Sequence, residues 1–198
     1  MITFNNEIYR KLIHLASSAI PFFYFYYSKN LVLAVLIPLT IIFLIIDFLR
    51  IKNKNVKRFY NICFKSITRS KEETSFTGAS YVLIASVFSI LIFDKKIAII
   101  SLLIMTISDT MAAIIGRRYG KVKINKKTLE GSIAFFLFSL IIVSFFDGII
   151  LVVAFIAILL TTLAELFLND INDNLTIPTV FGGSYSMLVL LFNGLGIN

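Results

Sequence analysis

Residues 97–115 read IAIISLLIMTISDTMAAII, and GRRYGK follows at 116–121. The apolar run has the length of a membrane crossing, which takes about 20 mostly apolar residues. It carries one carboxylate, Asp109, close to the end that runs into arginines. An aspartate at the centre of a span costs about 2.5–3.5 kcal/mol on insertion scales, so such a group faces a polar cavity or a partner and often carries function. The stretch reads as a spanning helix that holds an acid near one membrane face.

The rest of the chain agrees. Of its 198 residues 58% are hydrophobic, and the mean hydropathy is +0.91. A soluble domain is nearer about 45–50% apolar, so lipid is the expected solvent for most of this surface. Apolar runs near 12–28, 31–49, 77–93, 97–115, 132–146, 149–168 and 179–195 predict an all-α, polytopic transmembrane helical bundle of about seven spans. The fifth run is short. The seventh contains Gly182, Gly183 and Ser184, small residues of the kind that bring membrane helices close together. No repeat, low-complexity tract or domain boundary interrupts residues 1–198, which read as one domain.

The net charge of +8 would point to nucleic acid in a soluble protein. Here the basic residues sit between apolar runs, where they set topology and attract anionic headgroups, and no nucleic-acid partner is expected. They cluster at Arg10 and Lys11, across 50–71, and from Arg117 to Lys127. With the N-terminus inside, all but three of the nineteen Lys and Arg fall on the cytoplasmic side, the exceptions being Lys29, Lys95 and Lys96. The positive-inside rule thus predicts a cytoplasmic N-terminus and an external C-terminus. Within 50–76, apolar residues at 56, 59, 60, 63, 64 and 67 follow helical spacing among lysines and arginines, which predicts an amphipathic helix in the headgroup region. Cys63 is the only cysteine, so no intramolecular disulfide can form. Residues 1–9 lack a basic n-region, and no small-residue cleavage site follows the first apolar run, so no cleavable signal peptide is expected.

Three ionisable residues stand out within the runs. Asp109, Glu165 and the single histidine, His14, all fall in one leaflet under this topology and can surround one cavity. The loop after Asp109 supplies Gly116, Arg117, Arg118, Gly120 and Lys121, then Lys127, Gly131 and Ser132. Glycines allow close backbone approach, Arg and Lys suit phosphate oxygens, and Ser132 is a candidate cap for the helix that follows, whose N-terminus favours an anion. The segment DINDNLTIP at 170–178 offers carboxylate and amide oxygens, including Asp173 and Asn174, of the kind a hard divalent cation shares with substrate phosphates. Each part has a plainer alternative: a topological anchor, a solvated turn, an interfacial histidine. Asp109 resists one, because it needs a partner or water. A P-loop, HExxH, a Cys/His metal cluster and a Ser–His–Asp set are all missing, which excludes a soluble-kinase nucleotide fold.

The residues resemble the polytopic membrane lipid kinases that use CTP, the dolichol kinase, phytol kinase and diacylglycerol kinase group. Four blocks carry the likeness: RKLIH at 10–14, DTMAAIIGRRYG at 109–120, NKKTLEGS at 125–132, and Glu165 followed by DNLTIP at 173–178. Ser108 stands where members often have glycine, and Asn172-Asp173 stands where a double aspartate is frequent. Dolichol kinases are usually longer, which favours the shorter bacterial and plastid-like branch. The resemblance implies CTP-dependent phosphorylation of a lipid alcohol (a polyprenol, phytol or diacylglycerol) at the cytoplasmic face, in a bacterial inner membrane. It implies Mg²⁺ held by Asp109 and Asp173 with Glu165 and Asn174, and the triphosphate held by Arg117, Arg118, Lys121 and Lys127 around Gly116, Gly120, Gly131 and Ser132. His14 or Asp109 would orient or deprotonate the alcohol. The nearest alternative is a cytidylyltransferase making a CDP-lipid, although its K-R-x-x-K-D and H-G-G-x-x-D-R-x-D motif is absent. A transporter or scaffold is a more distant one, since the polar residues gather at one face and no repeat is visible.

Overall fold

The computed structural model describes residues 4–64, 68, 70–168 and 170–194. The protein is a bundle of helices built around one long rod. Helix α1 (Phe4–Ala16) and α2 (Ala19–Tyr26) occupy the first predicted span. That span is therefore two helices. Ile20 N–H bonds Ser17 O at 3.0 Å and Phe22 N–H bonds Ser18 O at 3.2 Å, restarting the ladder after Ser17 and Ser18. Pro21, which has no N–H, sits in the new first turn, where backbone donors lack helical partners anyway. Helix α3 (Lys29–Lys52) has 24 residues and is capped by Ser28 Oγ. Helix α4 (Lys54–Phe64) follows at once, its N-terminus capped by Asn53 Oδ1, which accepts from Asn55 N–H at 2.9 Å. It lies within residues 50–76, with Phe59 and Ile62 exposed. Lys65, Ile67 and Arg69 lie outside the described residues. A 3-10 turn (Ser70–Glu73) leads to α5 (Gly78–Ile92).

The rod is α6 (Lys95–Leu103), a π-helical turn (Ile104–Ser108) and α7 (Asp109–Tyr119), 25 residues without a break. Every residue from Ile97 to Thr106 is buried. Helices α2 and α5 pack on the rod with α8 (Leu129–Ser144) and α10 (Asp173–Gly194), while α9 (Leu151–Phe167) joins α8 to α10. Helix α3 leans on α5 from outside and leaves Ile37, Ile41, Ile45 and Phe48 exposed. Three helical stretches, Lys29–Lys52, Lys95–Tyr119 and Asp173–Gly194, are long and apolar enough to cross a membrane. Helices α5, α8 and α9 are apolar but have only 15, 16 and 17 residues.

Three local expectations are corrected. The chain is not wholly helical, because β1 (Lys123–Ile124) and β2 (Lys127–Thr128) form a small hairpin with Asn125 at φ 54°, a left-handed position that asparagine tolerates. Thr128 caps α8, its Oγ1 accepting from Gly131 N–H at 3.2 Å, so Ser132 lies inside the helix. The last loop ends at Asn172, whose Oδ1 accepts from Asn174 N–H at 3.0 Å and starts α10 five residues before Pro178. Of the glycine pair, Gly182 does sit at a close contact, where a Cβ would come 2.3 Å from the Phe93 ring, and Gly183 has nothing within 4 Å.

The bundle has two distinct ends. At one, Lys29 Nζ donates to Leu91 O at 2.9 Å, Lys95 Nζ donates to Tyr27 O at 3.0 Å, and Lys96 donates to Asp147 O. At the other, Asp47 and Arg50 are buried, 2% and 1% exposed. Arg50 Nη2 bonds Asp47 Oδ1 at 3.0 Å, while Asp47 Oδ2 accepts from Thr77 N–H at 2.7 Å and Ser80 Oγ at 2.7 Å. Arg50 also donates to Glu72 O and Ser75 O, each at 2.8 Å, and stacks over Tyr60. The sequence counted Arg50 among loop charges; it is instead the strut that holds the 70–77 connector. Removing one partner of a buried ion pair costs about 3–5 kcal/mol. Asp47→Ala should lower unfolding stability in detergent by about that amount, whereas Arg118→Ala, at an exposed position, should stay within about 0.5 kcal/mol.

Candidate active site

At the Arg50 end the termini of α1, α7, α8, α9 and α10 converge on a cavity of about 640 Å³. Asp109 opens α7 from inside the rod, Glu165 lies in the last turn of α9, and Asp173 begins α10. These three come from elements far apart in sequence, yet each offers a carboxylate oxygen within 4.8 Å of the others.

The π turn sets the aim of Asp109. In an α-helix Asp109 N–H would bond Met105 O; here it bonds Ile104 O, one residue further back. His14 Nε2 lies 3.0 Å from Met105 O and 3.4 Å from Asp109 Oδ2. A carbonyl can only accept, so Nε2 carries a hydrogen and donates to it. Ser108 Oγ is hydrogen-bonded to Ser139 Oγ at 3.0 Å, tying the turn to α8.

Two lysines neutralise the acids. Lys11, only 5% exposed, donates to the Asp109 carboxylate and to its backbone carbonyl. Lys127 Nζ is 2.6 Å from Glu165 Oε1 and 3.0 Å from Asp173 Oδ1, and also donates to Glu165 O. Burial alone would push the Lys127 ammonium down, but the facing carboxylates outweigh it and raise its pKa above the ordinary lysine value. On the alkaline side, the Lys127 contribution to these ion pairs is lost as pH rises through that raised value.

Of the residues singled out from the sequence, Asp109, Glu165, Asp173, Asn174, Lys127, Ser132, Gly116, Gly131 and Arg117 line the cavity. Ser132 Oγ is 3.5 Å from Glu165 Oε2. His14 sits behind Asp109. Arg118, Gly120 and Lys121 are not in the lining. The glycines are also tight packing points: a Cβ on Gly116 would lie 2.7 Å from Thr128 Oγ1, and one on Gly120 2.1 Å from Gly116 O. The sequence reading missed Lys11 and Glu72 as lining residues. Lys11 was visible in the RKLIH block; Glu72 had no local signal, because its place depends on Arg50.

The lining contains five cationic and five anionic side chains, so the cavity as it stands is close to balanced. A polyphosphate entering it must bring a compensating cation. Three carboxylates and the Asn174 amide are hard oxygen donors, the set Mg²⁺ takes together with phosphates, so the residues fit such an ion.

Fold and site together define a helical membrane protein with a phosphate- and cation-compatible pocket at the ends of its helices. An uncharacterised protein of Rickettsia prowazekii is 30% identical over 200 residues, covering 96% of both chains. CTP-dependent diacylglycerol kinase 1 of Saccharomyces cerevisiae is 35% identical over 137 residues, 66% of this chain and 47% of the kinase. A maize protein named "Probable phytol kinase, chloroplastic" is 40% identical over 79 residues, 37% of this chain and 26% of that one. The chain therefore spans about half of the yeast kinase it matches. No family model and no solved structure matches it. The chain belongs to the family of CTP-dependent lipid kinases.

The fit of the hairpin against α7 is open to test. With backbone only 2.1 Å from its new Cβ, Gly120→Ala forces the loop to move and should cost about 1–3 kcal/mol, the range for overpacking. Thermal unfolding in detergent measures the loss.

Proposed function

We propose that the protein transfers the γ-phosphoryl group of CTP to the hydroxyl of a membrane lipid, a polyprenol, phytol or diacylglycerol, giving the lipid phosphate and CDP. The observation that carries this reading is the meeting of Asp109, Glu165 and Asp173 with Lys127 in one cavity, in a chain whose relatives include a named CTP-dependent lipid kinase.

Phosphoryl transfer needs mainly positioning and charge neutralisation. Arg117 and Lys127, both lining the cavity, hold the triphosphate. Arg118 and Lys121, at the exposed end of α7 and in the loop beyond it, meet the incoming anion first. Gly116, Gly120 and Gly131 keep the hairpin close enough for Lys127 to reach the acids, and Ser132 adds a hydroxyl beside Glu165. Asp109, Asp173, Glu165 and Asn174 would hold Mg²⁺. When bound, that ion would supply positive charge to offset the negative charge of the transferring phosphate. The lipid oxygen forms the new bond to phosphorus as the bond to the departing CDP oxygen breaks, and the hydroxyl proton passes to Asp109. His14, already donating from Nε2 to Met105 O, orients Asp109 in place of accepting that proton at the same nitrogen.

The chain forms one multi-pass domain of about seven crossings, with the N-terminus and the site on the cytoplasmic side of a bacterial inner membrane. The basic residues of α4 and of the loop after α7 lie at the site end, with the positive-inside rule favouring that side. Helix α4, with Phe59 and Ile62 exposed and Lys54, Lys57 and Arg58 sharing a surface with Ile62, rests on anionic headgroups.

Purified protein given CTP labelled at the γ-phosphate and a panel of phytol, polyprenol and diacylglycerol should place label in a lipid. Label entering lipid from the α-phosphate instead would overturn the kinase reading. Asp109→Asn should lower transfer by about a hundredfold or more, the scale of one electrostatic group acting on a transition state, with thermal unfolding showing a folded protein. Full activity in that variant removes Asp109 from the chemistry.

A further inference from the structure

The cavity wall formed by the 70–77 connector and the start of α5 differs in chemistry from the rest. Glu72, Phe76 and Tyr81 line it there. The rings of Phe76 and Tyr81 stand edge to face, 6.4 Å between centroids. Glu72 Oε1 accepts from Gly78 N–H at 3.2 Å, and the Gly78 carbonyl in turn accepts from Asn174 Nδ2 at 3.0 Å. Asn174 adjoins Asp173, so this aromatic wall is coupled through two hydrogen bonds to the acid cluster. The backbone of Glu72 is fixed as well, since its carbonyl accepts from Arg50 Nη1. The bond from Gly78 N–H holds one oxygen of the Glu72 carboxylate at the cavity wall.

A carboxylate fixed at the edge of an aromatic surface is suited to a heterocycle that stacks and donates from an exocyclic amine. Aromatic side chains give nucleobases a stacking platform, and a carboxylate accepts from the N4 amine of cytosine. Uracil carries a carbonyl oxygen at that position, which would face the carboxylate's negative charge. Resting on the kinase reading above, the geometry points to Glu72 as the residue that reads the base of the nucleotide donor, with Phe76 and Tyr81 as its stacking wall. The cavity then divides into a base end against the connector, an acid corner, and a cationic side on α7 and the hairpin. The buried Asp47–Arg50 pair, remote from the acids in sequence, acts as the positioning strut for the base end.

The test compares kcat/KM for CTP, UTP and pyrimidin-2-one ribonucleoside triphosphate, which lacks the amine, in the wild-type protein and in Glu72→Gln. The wild type should prefer CTP to both others. Glu72→Gln should lose about tenfold or more of that preference, one hydrogen bond's share of discrimination. Glu72→Asp, which keeps the charge on a shorter stem, should retain more of the preference than Glu72→Gln and guards against a folding artefact. If Glu72→Gln discriminates as the wild type does, or if the wild type uses the amine-free nucleotide as well as CTP, the base-reading assignment falls and the kinase reading stands. If the wild type transfers γ-phosphate from no nucleotide, both fall together.

Discussion

Lys127 stands between Glu165 and Asp173, and that arrangement constrains everything around it. A carboxylate taken out of water without a partner is costly enough that it takes up a proton or finds a cation. This protein gathers three of them at the ends of α7, α9 and α10, with Asp109 and Glu165 buried and Asp173 partly so. It can do so because Lys11 and Lys127 are delivered to the same place by α1 and by the hairpin. Such clusters add little to stability, since well-packed apolar residues of similar size often do as well or better. On the proposed function, the cluster is explained by the ion and polyphosphate it would hold and not by the fold it sits in.

The π turn shows how the rod serves that cluster. A regular α-helix through 104–108 would spend Asp109 N–H on Met105 O and rotate the carboxylate away by part of a turn. The inserted residue re-aims Asp109, and the carbonyl it displaces from the ladder is met by His14. One histidine thus links the irregular backbone to the acid that the irregularity presents. The buried hydroxyls of Thr106 and Thr110 donate back to Leu102 O and Thr106 O, and that of Ser108 bonds Ser139 on α8, so the deviation leaves these hydroxyls satisfied.

The sequence made part of this legible. Asp109 was conspicuous because a carboxylate in an apolar run needs an explanation, and the NKKTLEGS and DNLTIP blocks pointed to Lys127 and Asp173 through their likeness to the CTP-dependent lipid kinases. The bounds 77–93 of the third run coincide with Thr77 and Phe93, the residues flanking α5, because an N-cap and a change of hydropathy coincide there. Other features were invisible to one-dimensional patterning. Arg50 looked like one more loop charge, although Asp47 three residues earlier, inside the same apolar run, was a clue that the two pair. The start of α10 was hidden by Pro178, which reads as a stop and is in fact carried within the helix once Asn172 caps it. The glycines of the α7 loop read as openings for a ligand; the close approach of Thr128 is a tertiary fact that no spacing announces. The split of the first run at Ser17 and Ser18 was signalled only by Pro21.

The unequal lengths of the helices have a mechanical consequence. At 1.5 Å per residue, the 24 residues of α3 extend for about 36 Å, whereas the 15 residues of α5 reach only about 22 Å. The hydrocarbon of a bilayer is about 30 Å thick. Lipids respond to such hydrophobic mismatch by thinning beside the short element. On the proposed seven-crossing arrangement, the membrane around α5, α8 and α9 would be drawn in toward the helix ends, with water and headgroups deeper there than beside α3. An amphiphile diffusing in such an annulus would then have less height to climb before its polar end met the cluster at Asp109.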